Sequence, residues 1–316
     1  MSAFQPVRRD VPTIYFFGVT TGRSSSRRVF PAWAAIIGHP DAQLVGVDFP
    51  INAPADEYRR AVEHIRNDPL SLGALVTTHK INTLNAARDL FDELTEHADL
   101  CGEVSSIYKR GGRLIGHAVD PVTSAQSMAE FIPPGYWAQT QADVMCLGAG
   151  GSAVAIATHF ITRASPEDRP HRMLVVNRSQ PKLDSLRALV DRLPNSGITF
   201  EFVQNPDPAV NDRLMAGLPS GSMVINATGM GKDTPGSPVT DDGQFPLDGF
   251  AWELNYRGEL DFLHQARAQQ TTRGVTVVDG WTYFVIGWAA VMSNVFNVDI
   301  SGERLAEFTA AAEAIR

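Results

Sequence analysis

Short runs of β-branched and aromatic residues alternate along this chain with longer stretches whose apolar positions recur every three to four residues. Residues 13–19 form the first such run, after the turn-prone Asp10 to Pro12, and read as a strand. A polar loop, TTGRSSSRR, leads into a helical pattern over 29–37 that Gly38 and Pro40 stop. A second strand is expected over 42–49, then a helix over 56–67 with Tyr58, Ala61 and Ile65 at helical spacing. Residues 73–77 read as a short buried strand ending at Thr78-His79-Lys80, followed by a helix over 81–93. The runs 104–109 and 114–118 flank Gly111-Gly112 as a hairpin. A helix begins near Pro121, and Pro133-Pro134-Gly135 marks a break. Strands are then expected over 143–147, 173–177, 198–203, 223–226, within 249–256 and over 275–279. Helices are expected over 152–163 and 181–192, and a long apolar helix and a charged one close the chain. This alternation predicts an α/β fold with mostly parallel sheets covered on both faces. There is no internal repeat and no low-complexity segment.

The 316 residues exceed what one ordinary core organises, so two domains are expected. Hydrophobic residues at 44% and charged residues at 20% are ordinary globular proportions. A formal charge of -8 argues against a nucleic-acid partner, which would need a basic face. Cys101 and Cys146 form no CxxC and no Cys/His metal spacing, so no metal is expected and both read as buried thiols of a reducing compartment. The first residues lack the order of a signal peptide. The longest apolar run, 284–291, is too short to span a bilayer. A cytoplasmic location without membrane association is the expectation.

Chemistry enters at the segment from Val144 to Ala153, which fits G-x-G-x-x-A directly after a strand and opening a helix. Gly148 makes the tight turn, Gly150 lets the backbone approach a pyrophosphate, and Ala153 lets helix and strand pack closely. Ala149, Gly151 and Ser152 complete the turn. Phosphates would sit on the free N–H groups at the positive end of the helix dipole. The next strand selects the dinucleotide. An NAD site usually ends that strand with Asp or Glu, which grips the ribose 2′-OH. Here it ends Val176-Asn177-Arg178-Ser179, with Lys182 one turn on and no carboxylate. Two cations and a hydroxyl suit a 2′-phosphate, so NADP is the expected cofactor. If Arg178 and Lys182 were merely solvated, their place at a helix start would oppose the dipole for no return.

With these segments in hand, the chain resembles the shikimate dehydrogenase family over nearly its whole length, in order. GAGGSA and the Asn177-Arg178-Ser179 strand end look like that family's glycine loop and its NADP-reading "NRT" segment. Val224-Ile225-Asn226-Ala227-Thr228 looks like its "INAT" strand end, which implies a place near the cofactor for Asn226, Ala227 and Thr228. Tyr256 falls at the Tyr of the loop that follows, and Gly274 and Gly280-Trp281 at late glycines near the nicotinamide. Gly18 and the Ser24-Ser25-Ser26 loop resemble "GxPxxHSxSP", which implies that Ser24 and Ser26 hold a substrate carboxylate. His79-Lys80 matches the end of "NVTxPxK", whose Lys is catalytic, and Asp120 the end of "GxNTD", whose Asp pairs with that Lys.

The departures bear on the substrate. The family's Asn and Thr of "NVT" stand here as Ala74 and Val76, the Asn of "GAVNT" as Ser105, and the Asn and Thr of "GxNTD" as Ala118 and Val119. Its late Gln falls on Gly287, and Arg23 and Arg27 replace a His and a Pro. The Lys and Asp are kept while several neutral ligands of a substrate hydroxyl are lost. Such ligands discriminate strongly, because a buried polar group must find its partner.

The resemblance implies a substrate-binding and catalytic α/β domain over 1–120 plus 282–316 and a Rossmann NADP-binding domain over 121–281. It implies reversible hydride transfer between NADP(H) and a ring ketone or alcohol such as 3-dehydroshikimate/shikimate, with Lys80 as general acid/base and Asp120 as its partner. Ser24, Ser26, Ser105 and Tyr256 are the candidate substrate ligands. Gly280 joins the glycine turn, Asn177, Arg178, Ser179, Lys182 and the 226–228 segment on the cofactor side. Arg27 and Arg28 are expected outside, and Tyr256 reads equally as a ligand or as a half-buried aromatic at a strand end. Two alternatives stay open: a dehydrogenase for quinate, aminoshikimate or another cyclitol acid, and a non-catalytic NADP(H) sensor on the same fold. The partner is a small ring acid or cyclitol, and the chain a monomer or homodimer.

Overall fold

A computed structural model describes residues 4–51, 53–163, 165–232 and 234–316. The chain packs as two units, one of Met1–Thr123 with Val285–Arg316 and one of Ser124–Phe284. The fold is α/β, and each unit carries a six-stranded sheet.

In the first unit the strands are β1 (Thr13–Gly18), β2 (Gln43–Asp48), β3 (Ser71–Val76), β4 (Glu93–Leu94), β5 (Ser106–Arg110) and β6 (Arg113–His117), in the order β2-β1-β3-β5-β6-β4. β1 pairs in parallel with β2 and β3, β5 runs antiparallel to β3 and β6, and β4 is parallel to β6. Every residue of β1 is buried, as expected of a strand covered on both faces. Successive side chains point to opposite faces. Tyr15 and Phe17 therefore join Val47, Tyr58, Ile65 and Leu84 in one core, under the helices Ala55–Asn67 and Lys80–Ala87. On the other face Phe16 meets Trp288 edge-on at 5.5 Å. Trp33, from the helix Ser26–Ile36, stacks on Phe308 at 5.5 Å and donates its indole N–H to the Phe308 carbonyl at 2.9 Å. The C-terminal helices thus belong to this unit because its sheet would otherwise have one bare face.

The second unit holds β7 (Val144–Leu147), β8 (Arg172–Asn177), β9 (Thr199–Gln204), β10 (Met223–Asn226), β11 (Phe250–Glu253) and β12 (Thr276–Val278), all parallel. Their order, β12-β11-β10-β7-β8-β9, reverses direction between β7 and β10. That is the doubly wound arrangement, whose ligands bind beyond the strand ends at the reversal.

One expected element is different. The helix expected over 81–93 ends at Ala87, passes through a single tight turn, Arg88–Leu90, and becomes β4. Asp92 accounts for this. Its carboxylate accepts the Leu114 amide at 2.7 Å and pairs with Arg66 at 2.9 Å, which draws the segment onto the sheet edge against its helical pattern. No helix among the described residues is long and apolar enough to cross a membrane.

Candidate active site

Lys80 does not end a strand, as the sequence suggested. β3 stops at Val76, one turn follows in which the Lys80 amide donates to the Thr77 carbonyl at 3.1 Å, and Lys80 opens the helix Lys80–Ala87. His79 is buried because its two ring nitrogens are tied to the Tyr58 hydroxyl at 2.9 Å and the Phe49 carbonyl at 3.1 Å. Burial holds its pKa below the ordinary histidine value. A cation at a helix N-terminus opposes the dipole, so Lys80 needs compensation. Asp120 supplies it, from the first residue of the helix Asp120–Ala129, where a carboxylate is favoured.

Backbone bonds bring these two residues together across the sequence. The Val76 amide donates to the Ser105 carbonyl at 2.9 Å, and the Ser105 amide to the His117 carbonyl at 3.0 Å. The Ser105 hydroxyl accepts the Val119 amide at 2.9 Å, one residue before Asp120. The Lys80 ammonium and the Asp120 carboxylate are in hydrogen-bond contact, with side chains 13% and 11% exposed. Burial works against the charge on Lys80, but Asp120 first and Glu103 second outweigh it, and its pKa lies above the ordinary lysine value.

Glu103 is the residue the sequence reading missed. It is fully buried, and neither carboxyl oxygen has a hydrogen-bond partner among the described residues. Burial pushes its pKa up to about 7, Lys80 pulls it down and Asp120 pushes it up further. The signal lay in the segment before it. Thr95 caps the helix Glu96–Cys101 by accepting the Ala98 amide at 3.4 Å, and Gly102 ends that helix with φ of 63°. A Thr-Glu start with Gly six residues later marks a short helix, and the acid after it stands where the "GAVNT" pattern has an apolar residue. On the far side of Asp120, burial and then His97 hold the His117 ring down to about 4, and Thr95 sits 2.6 Å from its Nδ1.

The serine loop leaves the carboxyl end of β1, beside the β3 end that launches Lys80. Ser24 and Ser26 are buried with their hydroxyls 2.7 Å apart, while Arg23, Arg27 and Arg28 are exposed. Asp48 steadies the loop by accepting the Thr21 amide at 2.7 Å. Ala74 and Val76 lie in the apolar core and offer no hydrogen bond, Ala118 and Val119 are buried, and a Cβ added at Gly287 would meet nothing within 4 Å.

In the second unit, Gly148 has φ of 119° and an added Cβ would stand 2.6 Å from the Ala227 carbonyl oxygen, so only glycine fits. Gly150 caps the helix Gly151–Thr162 in extended backbone, with open space where a Cβ would point. The first N–H groups of that helix have no intrahelical acceptor. Ala153 is fully buried against the sheet. Ala149, Gly151 and Ser152 lie in the same turn, beyond the carboxyl end of β7. Asn177 ends β8, Arg178 and Lys182 are exposed, and neither cation forms an ion pair among the described residues. Ser179 caps the next helix, Gln180–Arg192, which puts Lys182 in its first turn.

The 226–228 segment is held by a buried carboxylate. Asn226 donates to Glu253 at 2.6 Å and accepts the Thr228 hydroxyl at 2.7 Å, which uses its side chain inside the protein. Asn255 donates to Glu253 through its amide at 2.8 Å and its side chain at 2.6 Å. Burial nevertheless pushes Glu253 up to about 7. Gly280 packs on the Leu254 carbonyl, where a Cβ would stand at 2.2 Å. Tyr256 is half-buried, its ring 4.2 Å from Phe284 and 5.7 Å from Trp281.

No family model matches the chain. It is 28% identical over 183 residues to shikimate dehydrogenase (NADP(+)) of Streptococcus thermophilus, across 57% of this chain and 58% of that one. To the protein of the same name from Symbiobacterium thermophilum it is 29% identical over 237 residues, across 74% and 73%. Among solved structures, shikimate dehydrogenase from Aquifex aeolicus superposes with a TM-score of 0.72 at 17% identity, covering 98% of both chains. The 5-ketofructose reductase of a Gluconobacter strain superposes with a TM-score of 0.66 at 20% identity, covering 97% of this chain and 99% of that one. Sequence relatives that share one name, together with this pair of α/β sheets, support the shikimate dehydrogenase family for this chain.

Proposed function

We propose that the chain is an NADP(H)-dependent oxidoreductase that interconverts a ring ketone and its alcohol, as in 3-dehydroshikimate/shikimate, with Lys80 and Asp120 as its acid/base pair. The observation that carries this reading is the buried contact between Lys80 and Asp120 beyond the carboxyl end of β3. The sequence relatives, named for an NADP-dependent dehydrogenase, support the reaction class and the cofactor.

The second unit fits a dinucleotide. The open space before Gly150 admits a pyrophosphate against the free N–H groups of the helix Gly151–Thr162. Arg178 and Lys182 would hold a 2′-phosphate, with Asn177 and Ser179 beside them. Ala227, Thr228 and Gly280 would border the remainder of the cofactor, and Asn226 would shape that border from beneath. When bound, the reduced nicotinamide supplies two electrons as hydride to the carbonyl carbon. Negative charge then grows on the carbonyl oxygen, and the Lys80 ammonium meets it and gives up its proton. Asp120 keeps the ammonium oriented and charged until then. In the oxidising direction the neutral Lys80 amine takes the hydroxyl proton. Ser24 and Ser26 would bind a ring carboxylate through hydroxyls already turned toward each other. Ser105 spends its acceptor on Val119 and keeps one proton to donate, and Tyr256 would present its hydroxyl to substrate or cofactor.

A second reading keeps this chemistry and changes the ring to quinate, aminoshikimate or another cyclitol acid. Ala74, Val76, Ala118 and Val119 favour it, since none of these buried side chains hydrogen-bonds a substrate hydroxyl, and so does the space before Gly287. A sensor without turnover would need neither Lys80 nor Asp120. The test follows NADPH absorbance with purified protein on shikimate, quinate and a cyclitol panel, with NADP+ and separately NAD+. Lys80→Ala should lower kcat by a hundredfold or more, the usual scale of a lost acid/base group. Full activity in both Lys80→Ala and Asp120→Ala would refute the assignment, and NADPH binding with no turnover of any ring would leave the sensor.

A further inference from the structure

The mechanism above uses Lys80 and Asp120 and leaves a third ionisable group of the same cluster without a task. Glu103 is 0% exposed, and both its oxygens lack hydrogen-bond partners among the described residues. A buried carboxyl in that condition costs stability, and an apolar side chain of similar size would avoid the cost. Its position is determined by the turn. Gly102 ends the helix Glu96–Cys101 in left-handed backbone, the Glu103 amide returns to the Ala98 carbonyl at 3.3 Å, and the Val104 amide reaches the Lys80 carbonyl at 3.4 Å. Glu103 is thereby pinned between the helix end and the first residue of the Lys80 helix.

We propose that Glu103 is a positioning residue for the Lys80–Asp120 pair, a second buried counter-charge that sets how firmly Lys80 holds its proton and so the alkaline limit of ketone reduction. This rests on the acid/base reading of Lys80 given above. One ammonium faces two carboxyls, Asp120 in contact and Glu103 farther off, with Cys101 also beside it. Asp120 in turn faces His117, and His117 faces His97. His117 is neutral above about pH 4, so near neutrality Lys80 is the cation of this cluster. Burial first, and the charge on Asp120 after it, raise the Glu103 pKa to about 7 against the pull of Lys80. As pH rises through that value Glu103 ionises, and the ammonium becomes harder to deprotonate. Lys80 thus keeps its proton, and with it the acid form that ketone reduction needs, to higher pH than it would with Asp120 alone.

The chain has four lysines, Lys80, Lys109, Lys182 and Lys232, so protein labelled with 13C at the lysine ε-carbon gives signals that can be assigned singly. Asp120→Asn should bring the Lys80 titration into a measurable range, and adding Glu103→Gln should lower its midpoint by about one further pH unit, with Lys182 and Lys232 unmoved. An unchanged midpoint would overturn the proposal. Should the double variant not fold, a carboxyl-13C titration of the unaltered protein decides. A Glu103 midpoint near neutrality supports the inference, and one in the ordinary carboxylate range refutes it. In turnover, Glu103→Gln should move the alkaline limit of ketone reduction down by about one unit. The lysine titration needs no substrate, so it stands or falls separately from the proposed reaction.

Discussion

Cofactor selectivity gives the most direct check on the second unit, because Arg178 and Lys182 have no ion-pair partner among the described residues to compensate for their removal. At about 4 Å, two unit charges attract by about 1 kcal/mol in bulk water and about 4 kcal/mol at the effective dielectric of a protein surface. Both side chains are exposed, so the lower half of that range applies. A loss of about 1.4 kcal/mol is tenfold in affinity. Arg178→Ala, which also removes a forked donor, should therefore weaken NADPH binding by roughly ten- to a hundredfold, and Lys182→Ala by roughly tenfold or less. NADH has no 2′-phosphate and should bind both variants as it binds the unaltered protein. Fluorescence titration with the two reduced dinucleotides reads this out, and NADPH affinity alone should fall with added salt. Lys182 sits in the first turn of its helix, where its charge opposes the dipole. Lys182→Ala should accordingly raise the stability of the ligand-free protein by about 0.3–1 kcal/mol even as it weakens the cofactor. Equal losses for NADH and NADPH, or none for either, would refute the 2′-phosphate assignment.

Gly148→Ala places a Cβ 2.6 Å from the Ala227 carbonyl oxygen at a φ of 119°. It should cost at least about 1–3 kcal/mol of stability and abolish dinucleotide binding, measured by denaturant unfolding and by the same titration. Glu253 is an acid whose folded pKa, about 7, exceeds the ordinary carboxylate value, so its contribution to stability is complete at low pH and is lost as pH rises to about 7. The loss is of the order of 3 kcal/mol. Glu253→Gln should flatten the fall in unfolding free energy between pH 4.5 and 7, and an unchanged pH dependence would show that Glu253 titrates normally. Trp33→Ala removes a fully buried indole and its bond to the Phe308 carbonyl, and should cost about 3–5 kcal/mol in equilibrium unfolding.

Apart from β4, the strands of both sheets were legible in the sequence because their signal is local. A β-branched run such as Met223–Asn226, bounded by turn residues, has little other way to fold. The glycine turn was legible for a related reason. A left-handed residue and a close backbone approach each demand glycine, and that demand is visible as Gly148 and Gly150 in order. The helix expected to run through residue 93 failed where a local pattern met a distant partner. Nothing near Asp92 in sequence announces Arg66 or the Leu114 amide, and those two contacts decide its backbone.

Glu103 exposes the deeper limit of reading a site from motifs. Motif matching locates residues that repeat a known pattern, as Lys80 and Asp120 do, and is silent about the electrostatics of positions that depart from it. A carboxyl on an exposed turn would titrate as any surface glutamate. The same carboxyl folded behind Gly102 and beside Lys80 is fully buried with no hydrogen-bond partner among the described residues, and it must either keep its proton or lean on the ammonium for charge. Lys80 shows the same dependence from the other side. Burial alone would push its proton off, and Asp120 first and Glu103 second hold it on. The order of the motifs thus points to the family, while the charge around Lys80 depends also on a side chain that belongs to none of them.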